Sequence, residues 1–549
     1  VFEGNRRLKL ITLGTMCFTL FMAMLDGTVV NLALATIQRE LGASISGLQW
    51  IVDAYVLFLA SLLLTGGTLG DMFGRRKAFI GGLALFTLSS MLCALSPTLD
   101  WLIAARCLQG TGAAIMMPTT LSIITATFPD PRERARAIGM WAGVSGLALA
   151  IGPLIGGTMV DSFGWQSIFW INVPVGVTAV ILALLFVPES AQREGRSLDI
   201  LGQALAIVGL AALTYAFIEA NTYGWTSARI VSLFVVAAIS LGAFIIVELR
   251  SRAPMLQLGF FRNGTFAGAN LVGVIVSFGF FGIIFFLSLF FQEIQGYSPT
   301  KAGLLALPMT LAVVVSAMLS GRVVGRVGAR LPITFGLLLT GFGLLSLTTV
   351  EATTPYSQIW FLLVPIGLGN GMVMSPMTTA IMSTVPTSRA GMASATSNTM
   401  RQVGSVFGIA VLGSIVTHSF KSSLAAELTA LRLPADLVRH VLAIASQGRE
   451  AAAAQAPPGV DLPSMGRLVA DAFTAGFHSG LWISGLLLLV GSPVAFLTIR
   501  HEAHHVTHEP ARAEGEALAG ARPGAAEARL TAAEARPTAA VSTAAPLED

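Results

Sequence analysis

The sequence predicts an all-α, polytopic membrane protein: two six-helix bundles with two additional transmembrane helices between them, about 14 transmembrane helices in all. Three observations predict this. Hydrophobic residues make up 54% of the 549 residues and charged residues only 11%, against roughly 25% charged in ordinary soluble domains. The mean hydropathy is +0.76. About fourteen apolar runs reach the roughly 20 residues that a helix needs to cross a bilayer.

The runs fall near 11–34, 48–69, 78–96, 101–126, 137–159, 166–187, 199–220, 229–249, 266–291, 302–321, 331–350, 359–384, 394–417 and 477–499. Their loops set the orientation. Arg75, Arg76 and Lys77 lie between spans 2 and 3, and Arg132, Arg134 and Arg136 between spans 4 and 5. Arg193 and Arg196 follow span 6, and Arg250, Arg252 and Arg262 follow span 8. Arg322, Arg326 and Arg330 flank the turn after span 10, and Arg389 follows span 12. The alternate loops 97–100, 161–165 and 351–358 carry no Lys or Arg. Positive loops stay inside, so both termini are expected in the cytoplasm. The first run starts near Leu10 and has no small-residue cleavage site, so it is expected to remain in the membrane.

An internal echo supports two halves. Gly321-Arg322-Val323-Val324-Gly325-Arg326-Val327-Gly328-Ala329-Arg330 repeats, without the aspartate, the stretch that runs from Gly67 to Lys77. The halves are expected at 1–189 and 263–500, with a two-helix insert at 190–262 between them. Parallel repeats of this kind place a binding site between the halves. Residues 419–475 read as a long Ala-rich extracellular loop, partly helical over 424–445. Residues 501–549 contain no aromatic residue and read as a disordered cytoplasmic tail.

Composition excludes several classes. A formal charge of +4, with its cations in short loops, is no nucleic-acid footprint. Cys17, Cys93 and Cys107 lie inside apolar runs and form neither a disulfide framework nor a zinc site by spacing. His501-Glu502-Ala503-His504-His505 contains the H-E-x-x-H pattern, but that chemistry needs a helix face and a third ligand. At the start of a polar tail it is not expected to bind a catalytic metal.

Four stretches carry chemistry. Gly67-Thr68-Leu69-Gly70-Asp71-Met72-Phe73-Gly74-Arg75-Arg76-Lys77 reads as a tight turn whose glycines let two helix ends approach. It resembles the signature between the second and third helices of the major facilitator superfamily, G-x-L-x-D-x-x-G-R-[RK]-[RK]. Leu25-Asp26-Gly27-Thr28-Val29-Val30-Asn31 in span 1 resembles L-D-x-T-[VI]-[VI]-N, found in that superfamily's fourteen-helix drug:proton antiporters. Arg106-Cys107-Leu108-Gln109-Gly110 in span 4 resembles R-x-x-Q-G, whose arginine is associated with proton transfer in the family. Gly146, Gly152, Pro153, Gly156 and Gly157 in span 5 resemble the glycine- and proline-rich antiporter motif of facilitator-type exporters. A Gly-Pro step inside a span also kinks it and permits close packing.

Depth gives a separate argument for the polar residues. A carboxylate inside a span must face a cavity or a partner. At 1.5 Å per residue, Arg106 and Asp53 lie ~8 Å and Asp26 ~12 Å from the same membrane face. A guanidinium favours the carboxylate anion and desolvation favours the acid, so a group balanced between them can load and release a proton. Asp26, Arg106 and Asp53 are therefore expected to form one proton-coupling layer, with proton and cargo competing at Asp26. Asp71 and Arg75, with Gly67, Gly70, Gly74 and Arg76, are expected to form a gate, with Asp130 or Glu133 as acidic partners. Arg401 lies about two turns inside span 13 and must face protein or water.

The resemblance implies a proton-coupled antiporter of the bacterial multidrug-resistance type in the inner (cytoplasmic) membrane, exporting amphipathic drugs or antibiotics by alternating access. Its partners would be a small amphipathic substrate, protons and lipid. No cofactor beyond the proton gradient, no enzyme activity and a monomeric chain are expected. The alternatives are a dedicated exporter of one endogenous metabolite or lipid, a proton-coupled uptake symporter and an intramembrane zinc peptidase.

Overall fold

The computed structural model describes residues 6–190, 199–251, 254–386, 389–431, 433–445 and 462–500. The tail from 501, with its H-E-x-x-H pattern, lies outside the described residues. Among those described there is no strand, and fourteen helices are long and apolar enough to cross a membrane. We number them α1 (Arg6–Leu41), α2 (Ile45–Phe73), α3 (Arg75–Ala94), α4 (Leu99–Thr127), α5 (Pro131–Phe163), α6 (Ser167–Phe186) and α7 (Ile200–Tyr223). The rest are α8 (Ala228–Arg250), α9 (Gly264–Ile294), α10 (Pro299–Val327), α11 (Arg330–Thr349), α12 (Trp360–Ser383), α13 (Gly391–Ala430) and α14 (Met465–Thr498).

Local sequence sets the helix starts. Ser44, Thr98, Asp130, Ser227, Asn263 and Ser298 each accept a bond from a first-turn backbone N–H. Such caps satisfy donors that would otherwise be orphaned at the helix end. Pro131 and Pro299 follow two of these caps, where the missing N–H costs nothing.

Packing repeats between the halves. In the first, α4 packs on α2 and α3, α1 on α5 and α6, and α3 on α6. In the second, α12 packs on α10 and α11, α9 on α13 and α14, and α11 on α14. The halves meet along α5 with α10 and along α2 with α13. Lipid tails are as apolar as the helices, so packing rests on close approach at small residues. Gly66 sits against the Ala114 carbonyl and Gly110 against that of Tyr55; Gly367 sits against Met309 in the equivalent place.

The turn after the second helix of each half also repeats. Gly74 at φ 109° and Gly328 at φ 72° close α2 and α10, a backbone region that favours glycine. The charged stretch is therefore less a loop than expected. Asp71 and Arg75 are both helical, and Gly74 alone separates α2 from α3.

The insert does not float free of the bundles. α7 lies against both α2 and α13. Gln203 Nε2 donates to the Ser61 carbonyl at 2.8 Å, and Asn221 Nδ2 donates to Ser414 Oγ at 3.0 Å. α8 packs on α7, and its exposed Val235, Ile239 and Leu249 are left for lipid.

Over 424–445 the expected partial helix is present, but the described residues around it are more helical than a loop, continuing α13 and preceding α14. The 40 residues of α13 span ~60 Å, about twice a ~30 Å hydrocarbon core. The helix continues to Ala430 because Phe420, Leu424 and Leu428, four residues apart, form a buried stripe. Met465, Val469 and Phe473 of α14 are buried in the same cluster, and Phe473 packs edge-on against Phe420 at 6.5 Å. A short helix over Ala435–Ala445 follows α13 and packs on it. Phe473→Ala should cost about 3 kcal/mol of local stability. Hydrogen exchange should then accelerate over 417–430 and 465–476 and stay unchanged in α1–α6. Equal acceleration throughout would show that the projection is not a separate unit.

Candidate functional site

Asp26 of α1 is 1% exposed and Arg106 of α4 is 1% exposed. Arg106 Nη1 donates to Asp26 Oδ2 at 2.7 Å, a short charge-assisted bond. Asp26 Oδ1 accepts from Gln109 Nε2 and from Asn172 Nδ2, both at 2.9 Å. Both amides also donate to Ser90 Oγ of α3, and Ser90 donates onward to the Phe169 carbonyl. The arginine's other contacts lie on its own bundle. Nε donates to the Ile51 carbonyl of α2 at 3.0 Å, Nη1 donates to Gln109 Oε1, and the guanidinium lies 4.2 Å from the Tyr55 ring centroid.

The expected meeting of Asp26 and Arg106 is thus present. Gln109 joins them directly, and Gly110 allows α4 to approach α2 beside them. Sequence reasoning gave no role to Asn172 or Ser90. Asn172 had one readable signal, an amide inside an apolar span two residues before Pro174.

Asp53 does not join the layer. It is fully buried, and neither carboxylate oxygen accepts a hydrogen bond. Rise along a helix gives depth but not direction. Asp53 lies one turn from Gln49, whose Nε2 donates to the Ile409 carbonyl of α13 at 2.7 Å. Arg401 of α13 packs its side-chain stem beside Gly273 of α9, and its Nε has no hydrogen-bond partner.

The charged stretch knits the α2–α3 end to α4 and α6. Arg75 pairs with Asp71 at 3.0 Å and donates to the Ser122 carbonyl. Glu189 accepts the backbone N–H of Arg76 at 3.0 Å, and the Arg76 side chain donates to the Leu184 carbonyl. Gly70 approaches Thr119 and Gly67 approaches Pro118. The acidic partners expected from the next turn are engaged elsewhere. Asp130 caps α5, and Glu133 pairs with Lys9 at 2.8 Å.

The α5 glycines face two neighbours. A methyl group at Gly152 would collide with Thr28, and one at Gly156 would lie 2.8 Å from Val29 Cβ, both on α1. One at Gly157 would strike the backbone of Pro299, in the other half. Gly303 of α10 is pressed onto the Pro153 carbonyl. Further bonds close this end: Asp161 Oδ2 accepts from Thr300 N at 2.8 Å, and Ser288 Oγ donates to the Asn31 carbonyl at 2.6 Å. Towards the α2–α3 end the two helices diverge. The nearest neighbour of Gly146 is Val314 at 4.0 Å, and Gly139, Gly143 and Gly325 face open space.

Beside the seal, between the two halves, lies a narrow crevice. Thr28 and Asn31 of α1 and Leu149 and Pro153 of α5 form one wall. Phe281, Ile284, Ser288 and Phe291 of α9, with Met309 and Thr310 of α10, form the other. Asp26 is not part of the lining. It lies on the opposite face of α1, so direct competition of cargo and proton at its carboxylate is not what this geometry offers.

Two matched six-helix halves with a crevice between them are the architecture of a multi-pass membrane transporter. The chain belongs to the Major Facilitator Superfamily, whose pattern it matches over residues 16–409. It is 39% identical over 440 residues to multidrug resistance protein Stp of Mycobacterium tuberculosis (strain CDC 1551 / Oshkosh), covering 80% of this chain and 81% of that one. It is 39% identical over 401 residues to the methylenomycin A resistance protein of Streptomyces coelicolor, covering 72% of this chain and 83% of that one. The tetracenomycin C resistance and export protein of Streptomyces glaucescens is 33% identical, covering 89% of this chain and 92% of that one. A solved bacterial homolog of the human lysosomal transporter Spinster, inward-facing and unoccupied, superposes with a TM-score of 0.61 at 16% identity. It covers 91% of this chain and 98% of that one, and the likeness is one of fold.

Breaking a buried pair strands a charge. Arg106→Met alone should therefore cost about 3–5 kcal/mol. The double variant Asp26→Asn/Arg106→Met should recover part of that loss, because both charges are gone. Thermal unfolding of detergent-solubilised protein reads the difference. Equal losses in the single and double variants would mean that the bond contributes little.

Proposed function

We propose that this protein exports small amphipathic drugs or antibiotics from the cytoplasm in exchange for protons. The crevice carries the reading: it lies between the halves beside the close contact of α5 with α10, and these two helices diverge towards the α2–α3 end. The positive-inside rule makes that end cytoplasmic. Cargo would enter there, the α2–α3 end would close, and the α5–α10 seal would part. The names of the three relatives, each a resistance or export protein, support the direction.

Asp26 is the proposed proton carrier, and Arg106 holds its anion. The coupling runs through α1. Protonation neutralises the carboxylate and weakens what Arg106, Gln109 and Asn172 grip, and a neutral acid avoids most of the membrane cost of the charged form. α1 is then less firmly held to α4 and α6. The same helix carries Thr28 and Asn31 into the crevice and packs Thr28 and Val29 on Gly152 and Gly156. Loading the proton thereby alters both the crevice wall and the seal. Asp53 is the second candidate carrier, buried with its carboxylate unbonded. A narrow exporter of a single antibiotic is the second reading. It is favoured by two relatives named for one compound each.

Asp26→Asn should reach the membrane, keep counterflow exchange and lose concentrative export under an imposed pH gradient. Measured in proteoliposomes, retained uphill export would place the proton site elsewhere, first at Asp53. In the same assay, Gly152→Leu should force α5 off α1 and Pro153→Ala should straighten α5. Both should lower export, and normal rates in both would reduce the motif to packing.

A further inference from the structure

We infer that the cargo is an uncharged, largely aromatic molecule bearing carbonyl and hydroxyl groups, and that lipophilic cations are poor substrates. The inference rests on the export reading above and adds the chemistry of what is carried.

The crevice wall contains no Asp, Glu, Lys, Arg or His among the described residues. Asp26 could have offered a counter-charge, but its carboxylate is turned into the first bundle and is taken by three donors there. A cation entering the crevice would leave water without meeting an anion, and burying an unpaired charge is strongly unfavourable. The aromatic faces are a weak substitute: Phe291 is already packed by Phe290, Tyr297 and Tyr356, and the one remaining ring, Phe281, returns only about 0.5–2 kcal/mol to a cation. An anion fares no better, since the wall holds no cationic side chain.

The polar atoms narrow the cargo further. Thr28 Oγ1 donates to the Leu25 carbonyl at 2.9 Å, and Thr310 Oγ1 donates to the Leu307 carbonyl at 3.2 Å. Ser288 Oγ donates to the Asn31 carbonyl. With their hydrogens so used, the Thr28 and Thr310 hydroxyls are left to accept from a ligand, whereas Ser288 Oγ already accepts from Gln292 Nε2 at 3.0 Å. Asn31 gives one N–H to the Gly27 carbonyl at 3.4 Å. Its second N–H and side-chain carbonyl remain for cargo. The wall therefore offers hydroxyl acceptors, one amide and a wide apolar surface. Hydroxyl groups suit the acceptors, a ring carbonyl suits Asn31, and flat rings suit Phe281, Ile284 and Leu149.

The test uses purified full-length protein in lipid nanodiscs, with empty nanodiscs correcting for partition into lipid. The probes are an uncharged hydroxyanthraquinone and the same ring bearing a trimethylammonium side chain, followed by fluorescence. The uncharged probe should bind roughly tenfold or more tightly than its cationic counterpart, reflecting the cost of an unpaired charge. Asn31→Leu should weaken the uncharged probe without improving the cation. Ala306→Asp, which puts a carboxylate on the wall, should narrow or reverse the preference. Equal or tighter binding of the cation by the unmodified protein overturns the inference, as does failure of the uncharged probe to bind. The unmodified protein alone decides, so a variant that fails to fold does not blur the outcome. Binding with this preference, but no export of the uncharged probe from proteoliposomes, would sink the export reading and leave the cargo chemistry standing.

Discussion

The bond between Asp26 and Arg106 is the constraint on which the first half depends. Two opposite charges taken out of water are stable only when their remaining bonding capacity is filled. Here it is filled from several helices: α1 supplies the carboxylate, α4 the guanidinium and Gln109, and α6 supplies Asn172. α2 offers the Ile51 carbonyl and the Tyr55 ring, and α3 offers Ser90. Five helices are thereby fixed in register by one polar cluster. The second half has the same packing scheme but no aspartate in α9–α13. It contributes a wall of aromatic and aliphatic side chains instead. The buried Asp26–Arg106 pair thus belongs to the first half, while the second supplies much of the apolar wall of the crevice.

α1 joins these functions because its two faces differ. One face holds Asp26 inside the bundle, and the other turns Thr28 and Asn31 to the crevice. α5 then reads α1 through glycines. Gly152 and Gly156 meet Thr28 and Val29, while Gly157 and Pro153 meet α10. A displacement of α1 by a fraction of an ångström has no slack to absorb it at contacts this close. The glycine-rich stretch is therefore a contact surface shared by the ion-pair helix and the opposite half, as well as a site of helix bending.

Much of this was legible in the sequence. Apolar run lengths and loop charges gave the fourteen spans, and the polar residues of α1 and α4 could be paired by depth. What could not be read was direction around a helix. Asp53 has nearly the depth of Arg106 yet points elsewhere, because rise per residue carries no information about the facing side. Asn172 and Ser90 were hidden because neutral polar residues are common inside spans and gain meaning only from their neighbours. On the second half's side of the crevice, Phe281, Ser288 and Thr310 belonged to no motif: they come together only once α9 and α10 pack across α1 and α5. The α13–α14 projection was masked by its alanines and mixed charges, which obscured the four-residue spacing of Phe420, Leu424 and Leu428.

The proposed coupling through α1 is tested most directly by following the two halves as pH changes, with and without the Asp26 carboxylate. Spin labels at positions 136 on α5 and 322 on α10, in a background with the three cysteines replaced, report the opening of the α2–α3 end by pulsed dipolar spectroscopy. The unmodified carboxylate should give a distance distribution that redistributes across a pH titration. Asp26→Asn should hold one distribution throughout. A variant that redistributes with pH as the parent does would contradict coupling through this residue.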